Sequence, residues 1–210
     1  MVQLTSDFEP KQMVISPTVE KNKRGGKVVY ISGEQGRVLL QTPTMSLPFG
    51  VTPYDVNGDI QSYSVELSFR GHETEPRLQD FLAKVRELDE YLIDTATEHS
   101  EAWFGKKQSR EMVAEFYRRL VNDKNPEYPP FVKMKVGAGM NGEPNAQFYD
   151  EKRERVGIDY LTKGSCVKVI CEISSIWFVN KTFGASFRIS QAAVVSKPNR
   201  LQEYAFQDEE

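Results

Sequence analysis

The sequence predicts a mainly β fold: a small antiparallel barrel capped by one long and one shorter α-helix inserted between strands. Three observations predict it. Tyr63, Val65, Leu67 and Phe69 alternate with Ser62, Ser64, Glu66 and Ser68, the pattern of a strand with one face in a core and one in water. Apolar residues then recur at three-to-four spacing from Leu78 to Ala96, the period of an amphipathic helix. Strand-like runs return after Pro130 and continue to Val195. Few helices on many antiparallel strands point to a barrel.

Taken in order, residues 27–31 (KVVYI) and 37–45 (RVLLQTPTM) read as strands parted by the turn-type stretch SGEQG. The basic, glycine-containing KNKRGGK (21–27) precedes them as a loop. Residues 60–70 form the alternating strand. The long helix runs over 76–104, with Thr74 or Glu75 as cap and Pro76 tolerated in its first turn. A break at Phe104–Gly105 leads to a second helix over 109–121, with Met112, Val113, Phe116, Tyr117, Leu120 and Val121 on one side. Asn125–Pro126 and Pro129–Pro130 stop it. The remaining strands fall at 131–136, 146–149, 165–179 and 183–195. The organisation expected is a flexible arm (1–24), one domain (25–197) and an acidic tail (198–210).

Composition narrows the function. With 210 residues, 39% hydrophobic and 27% charged, the chain can bury a core without a staple. No apolar run approaches the roughly 18 residues of a membrane span, and MVQLTSDFEP lacks a signal-peptide pattern, so an intracellular protein is expected. Cys166 and Cys171 lie on opposite faces of one strand, which suits buried thiols rather than a disulfide. His72 and His99 are far apart, with no ligand spacing, so no metal or cofactor is expected. GAGMNG (137–142) matches a dinucleotide-binding glycine pattern, but Glu143–Pro144–Asn145 follows where that site needs a helix. It reads better as a strand-to-strand loop. No nucleophile–base constellation is present, so no enzyme is expected.

Charge is unevenly spread. The net charge of −3 argues against a general duplex-DNA binder. Residues 73–101 hold nine acids against three bases, the composition of a solvated helix face. Residues 163–200 hold six Lys/Arg and one acid, Glu172, whereas the last ten residues hold four acids and no base. Within the basic stretch Val167, Val169, Cys171 and Ile173 share one parity, and Lys168, Ile170 and Glu172 the other. That register points Trp177 inward and Phe178 outward. A bulge near Ser174–Ser175 would swap them. Further on, Phe187 and Ile189 share a parity, with Arg188 opposite. Strands favour aromatics in their own cores, but Lys168, Lys181 and Arg188 interleave here with Trp177, Phe178 and Phe183. Single-stranded nucleic acid is held by such surfaces, with cations on phosphates and rings stacked on bases. Lys133 and Lys135, alternating in FVKMKV, extend the stripe; Lys106 and Lys107 read as ordinary surface charge. The alternative is a non-enzymatic protein-interaction barrel whose exposed aromatics dock a partner protein.

The alternating strand SYSVELSF (62–69) leading into the helix, the basic strand KMKV (133–136) and the hairpin GSCVKVICEISSIWFVNKTFGASFRISQAAVV (164–195) together resemble a known family. It is that of the single-stranded DNA-binding proteins of the T-odd phage type, with relatives in nucleocytoplasmic large DNA viruses. The hairpin carries the resemblance through Gly164–Ser165, Lys168/Val169, Trp177/Phe178, Asn180 and Gly184–Ala185–Ser186. EAWFGKK (101–107) and LPFG (47–50) bring it nearer the viral branch. The resemblance implies an OB-like five-stranded barrel, no catalysis, and coating of exposed DNA strands in replication, recombination and repair, in host cytoplasm or nucleus. The clustered cations and rings, taken with the resemblance, put Lys133, Lys135, Lys168, Lys181 and Arg188 on phosphates and Trp177, Phe178 and Phe183 in stacking positions. The resemblance leaves room for a homodimer. It also implies an acidic tail that competes for the groove and recruits replication proteins through Phe206, Asp208, Glu209 and Glu210. LQEYAFQDEE is shorter than the phage tail and ends in Glu rather than an aromatic.

Overall fold

A computed structural model describes residues 2–22, 25–34 and 36–198. The first strands are β1 (Val2–Leu4), β2 (Val14–Ile15), β3 (Glu20–Lys21), β4 (Lys27–Ser32), β5 (Leu39–Gln41), β6 (Met45–Ser46), β7 (Val51–Val56) and β8 (Asp59–Ser68). The helices α1 (Pro76–Glu98), α2 (Ser100–Phe104) and α3 (Arg110–Phe116) follow. Then come β9 (Tyr117–Arg118), β10 (Val121–Asn122), β11 (Phe131–Gly137), β12 (Gln147–Tyr149), β13 (Arg155–Val156), β14 (Cys166–Glu172), β15 (Ser175–Val179), β16 (Thr182–Ala185) and β17 (Phe187–Ser196).

In the larger sheet β14, β6, β8, β11 and β17 each pair with the next, and β17 returns to β14. The pairing therefore closes on itself, the OB-like barrel the sequence predicts, with one departure: β11 and β17 pair in parallel rather than antiparallel. Val65 and Leu67 of β8, Val132, Met134 and Val136 of β11, Val167, Val169 and Cys171 of β14, and Phe187 and Ile189 of β17 fill the interior. α1 caps it. The Glu75 carboxylate accepts from the Arg77 N–H at the helix start, and Pro76 opens the first turn. Phe81 packs between Phe69 (5.5 Å) and Phe187 (6.4 Å). A smaller sheet, β2-β4-β15-β16-β9, lies against the remaining helical segment.

Several elements differ from expectation. The helix expected over 76–104 breaks at His99 into α1 and α2, the strand over 37–45 divides into β5 and β6, that over 183–195 divides at Ser186 into β16 and β17, and β7 falls where no strand is expected. The segment expected as a flexible arm is packed. β1 pairs in parallel with β5, and Phe8 and Met13 are buried. The Tyr91 hydroxyl donates to the Met13 carbonyl (3.2 Å), and the Trp103 indole N–H to that of Pro17 (3.0 Å). The segment's apolar residues are too sparse to show a period; Phe8 and Met13 fill gaps in the core, while Val2, Leu4 and Val14 stay exposed. The expected helix over 109–121 stops at Phe116, because Tyr117 turns extended (ψ 136) and starts β9. The expected strand over 165–179 is two strands, broken at Ile173–Ser174.

The early helix stop has a cause in α1. Asp89 is fully buried. Its Oδ1 accepts from the Tyr117 hydroxyl (2.8 Å) and the Leu120 N–H (2.9 Å), and Oδ2 from the Val121 N–H (3.5 Å). A continued helix would satisfy those two amides internally. The carboxylate takes them instead, and the chain opens into β9 and β10. Burial pushes the Asp89 carboxyl above its ordinary value, and its hydrogen bonds hold it back. Asp89→Ala leaves three donors facing an apolar interior. A decrease of roughly 3 kcal/mol in urea unfolding is expected, with a smaller decrease for Asp89→Asn, which keeps an acceptor.

Candidate nucleic-acid interface

The β15–β16 hairpin settles which way its rings point. Val179 pairs with Thr182, so Asn180–Lys181 form a two-residue turn. Asn180 adopts φ 54, a left-handed conformation that Asn accepts readily. The break before Ser175 swaps the parity: Ile173 and Ile176 are both buried, so Phe178 rather than Trp177 shares the core-facing side. Phe178 lies against Phe183 (5.9 Å, 18°) and meets Trp103 edge-on (6.0 Å, 89°). Phe183 is only 1% exposed and also meets Tyr117 at 5.3 Å. Trp177 lies on the other side of the strand, its indole N–H donating to the Ala185 carbonyl (3.2 Å) and the Ser186 hydroxyl (3.1 Å). A Cβ at Gly184 would stand 2.9 Å from the Trp177 ring and 3.0 Å from the Arg118 carbonyl, which explains the Gly-Ala-Ser step. The rings face the protein. Phe183 in particular is core, because its strand packs between β15 and β9 beneath α2.

The cations divide into two groups. On the large sheet Lys135 stands beside Arg188 in the parallel β11–β17 register. Lys133 follows two residues along, opposite Glu66 of β8. Their strand neighbours Met134, Val65 and Phe187 are buried, so these cations share the outer face. Lys133 approaches Glu66 at 3.8 Å. Glu172 lies across from Arg188, but the Arg37 guanidinium already holds it through Nε (2.7 Å) and Nη2 (2.6 Å). Desolvation first, then the charges of Arg188 and Lys133, pull the Lys135 ammonium below its ordinary value. Positive charge on this face is therefore crowded and incompletely neutralised. Lys168 lies farther along the same outer face, opposite Ala193. Lys181 belongs to the other group: it sits at the β15–β16 turn on the smaller sheet, beside α2 and α3.

Two outer-face aromatics escape a reading of the sequence. Tyr149 of β12 neighbours Ala193, which in turn neighbours Lys168. Tyr54 of β7 is 60% exposed and lies opposite Ser62, on the side of Ser64 and Lys135. The turn Asn57–Gly58 signals that hairpin, but Pro53 masks the strand, and a bulge after Tyr54 alters its side. GAGMNG joins β11 to β12 as a strand-to-strand loop. The Gly139 N–H closes it on the Glu143 carbonyl at 2.8 Å. Phe206, Asp208, Glu209 and Glu210 lie outside the described residues. Among the described residues no cluster of His, Cys, Asp and Glu could hold a metal ion, and no helix is long and apolar enough to cross a membrane.

Residues 71–208 match the Family of unknown function (DUF5871), and the chain belongs to it. An uncharacterized protein, L291, of Acanthamoeba polyphaga mimivirus is 23% identical over 171 residues. That match takes in 80% of this chain and 28% of the relative, so the chain spans little more than a quarter of that protein's length. Among solved structures, gp2.5, a single-stranded DNA binding protein encoded by bacteriophage T7, superposes with a TM-score of 0.52 at 15% identity. It covers 81% of this chain and 98% of its own. The single-stranded DNA-binding protein from bacteriophage Enc34 gives 0.47 at 10% identity, covering 92% and 96%. The T7 likeness shows a shared fold.

Because the rings pack rather than project, Phe183→Ala should lower stability by about 3–5 kcal/mol, as large aromatic truncations in cores do. Gly184→Ala should also destabilise, by roughly 1–3 kcal/mol, through the clash with Trp177 and Arg118. Thermal or urea unfolding reads both. Wild-type stability would place the Phe183 ring at the surface in the first variant and show room for a Cβ beside Trp177 and Arg118 in the second.

Proposed function

We propose that this member of a family of unknown function binds single-stranded DNA along the outer face of its barrel, with Lys133, Lys135 and Arg188 on the phosphates. The observation that carries this reading is the crowding of those three cations on adjacent strands. Of the three, Lys133 has a cross-strand acid within ion-pair reach, Glu66 at 3.8 Å; Lys135 faces Ser64, and the acid across from Arg188 is already engaged by Arg37. Cations held against one another are relieved by a polyanion, and each phosphate neutralised also releases counterions from the DNA. Tyr54 offers an exposed ring on the same face, and a base stacked on such a ring contributes about 1–3 kcal/mol. Lys168 and Tyr149 extend the path. The shared fold with a phage protein described as single-stranded DNA binding supports the same reading.

In its full form the reading is of a protein of the T-odd phage type, from the branch in large DNA viruses. It coats strands exposed in replication, recombination and repair, and has no catalytic step of its own. Residues 201–210 act in it as an acidic competitor for the DNA path and as a contact for replication proteins.

Fluorescence anisotropy of a labelled thymidine oligomer tests the reading. Lys135→Glu and Arg188→Glu should each weaken binding by about tenfold or more, because each replaces a phosphate contact with repulsion. Tyr54→Ala should weaken it less, and Lys181→Glu should change it little. Unaltered affinity in both outer-face variants would sink the assignment. Deletion of residues 201–210 should tighten binding; unchanged affinity would remove the tail's competing role.

A further inference from the structure

A second surface joins positive charge to apolar side chains, away from the proposed DNA path. It is a groove of about 400 Å3 between the β15–β16 turn and the α2–α3 segment. Phe104, Met112, Phe116 and Phe178 supply its apolar wall, and Lys27, Lys106 and Lys181 its charge. Among the described residues no carboxylate lines it.

The charge balance here is unlike that of the nearby helices. Arg86 pairs with Asp123, Arg110 with Glu90 and Asp94, Arg119 with Glu90, and Lys84 with Glu9. By contrast, Lys27, Lys106 and Lys181, all exposed, have no ion-pair partner among the described residues. Met112 is 42% exposed on α3, an apolar side chain with much of its surface left in water.

The geometry favours an inserted side chain over a stacked base. One face of Phe178 is covered by Phe183, and its edges meet Trp103 and Phe104. What remains open is a concave apolar floor built from the flexible Met112 and the half-buried Phe104 and Phe116. Methionine adapts to varied apolar shapes, and a bulky side chain seated in such a pocket is the usual anchor of a peptide interface.

We propose that this groove docks an acidic peptide segment of a partner protein. One large apolar side chain sits on Phe104, Met112 and Phe116, and flanking carboxylates pair with Lys27, Lys106 and Lys181. Charge complementarity selects the occupant, since three such ammonium groups around an apolar floor favour carboxylates beside an apolar anchor. The proposal concerns a different surface and ligand from the DNA reading and stands or falls separately from it.

A random linear peptide library displayed on phage, panned against the intact chain, tests it. Peptides with several carboxylates around one large apolar residue should be enriched. In fluorescence polarisation they should bind the Lys27→Glu/Lys106→Glu/Lys181→Glu variant at least about tenfold more weakly. The three lysines are exposed, and circular dichroism checks that the variant is folded; Met112→Glu alone should weaken binding comparably. No enriched pattern, or enriched peptides retained by both variants, would overturn the proposal. So would Lys106→Glu weakening a thymidine oligomer as much as Lys135→Glu does, since the groove would then belong to the DNA path. A synthetic copy of residues 201–210 that outcompetes every enriched peptide would also overturn it, assigning the groove to the chain's own tail.

Discussion

One buried carboxylate organises the contact between the helices and both sheets. Asp89 projects from α1 into the protein and accepts from Tyr117, Leu120 and Val121. Burying a carboxylate costs several kcal/mol unless its lone pairs are filled, and three donors fill them here. Its partners are thereby fixed in position. Tyr117 begins β9, pairs with Phe183 of β16 and packs its ring on the same residue at 5.3 Å. Val121 begins β10, which pairs with Val132 of β11 in the barrel. A single side chain thus ties α1 to the small sheet through β9 and to the large sheet through β10.

That arrangement separates rings from cations. With β16 held between β9 and β15, Phe183 has no route to solvent, and Phe178 leans on it under Trp103 and Phe104. Trp177 is committed by its two hydrogen bonds around Ser186. β17 continues from β16 directly into the barrel, where Arg188 meets Lys135 on the outer face. The aromatic stretch and the basic stretch are adjacent in sequence but serve different surfaces. The first builds the platform beneath the α2–α3 groove, and the second supplies the charge that suits a polyanion.

Much of the barrel is legible in the sequence because period-two alternation reports directly on which side is buried. The outward placement of Lys133, Lys135, Lys168 and Arg188 follows from Val132, Met134, Val167, Val169, Phe187 and Ile189 lying inward. The misreadings share a different physics. The break at Ile173–Ser174 shifts the parity of every side chain after it by one residue, the outcome that the sequence leaves open at Ser174–Ser175 and that only the pairing decides. Met112, Val113, Phe116, Tyr117, Leu120 and Val121 fit a helical stripe throughout. The helix ends where it does because of Asp89, 28 residues upstream of Tyr117. The N-terminal segment packs through Phe8 and Met13 without any local period. Tyr54 reaches its face through a bulge. Each is a tertiary contact overriding, or invisible to, the local pattern.

On the DNA-binding reading, phosphates seat on the crowded cations of the outer face. The most direct test of that claim compares the salt dependence of thymidine-oligomer affinity for the wild type and for Lys135→Glu. In the wild type log Kobs should fall linearly with log salt. The variant's line should be shallower by about 0.7 for each phosphate it no longer neutralises. A wild-type affinity indifferent to salt, or an equally steep line in the variant, would contradict the claim.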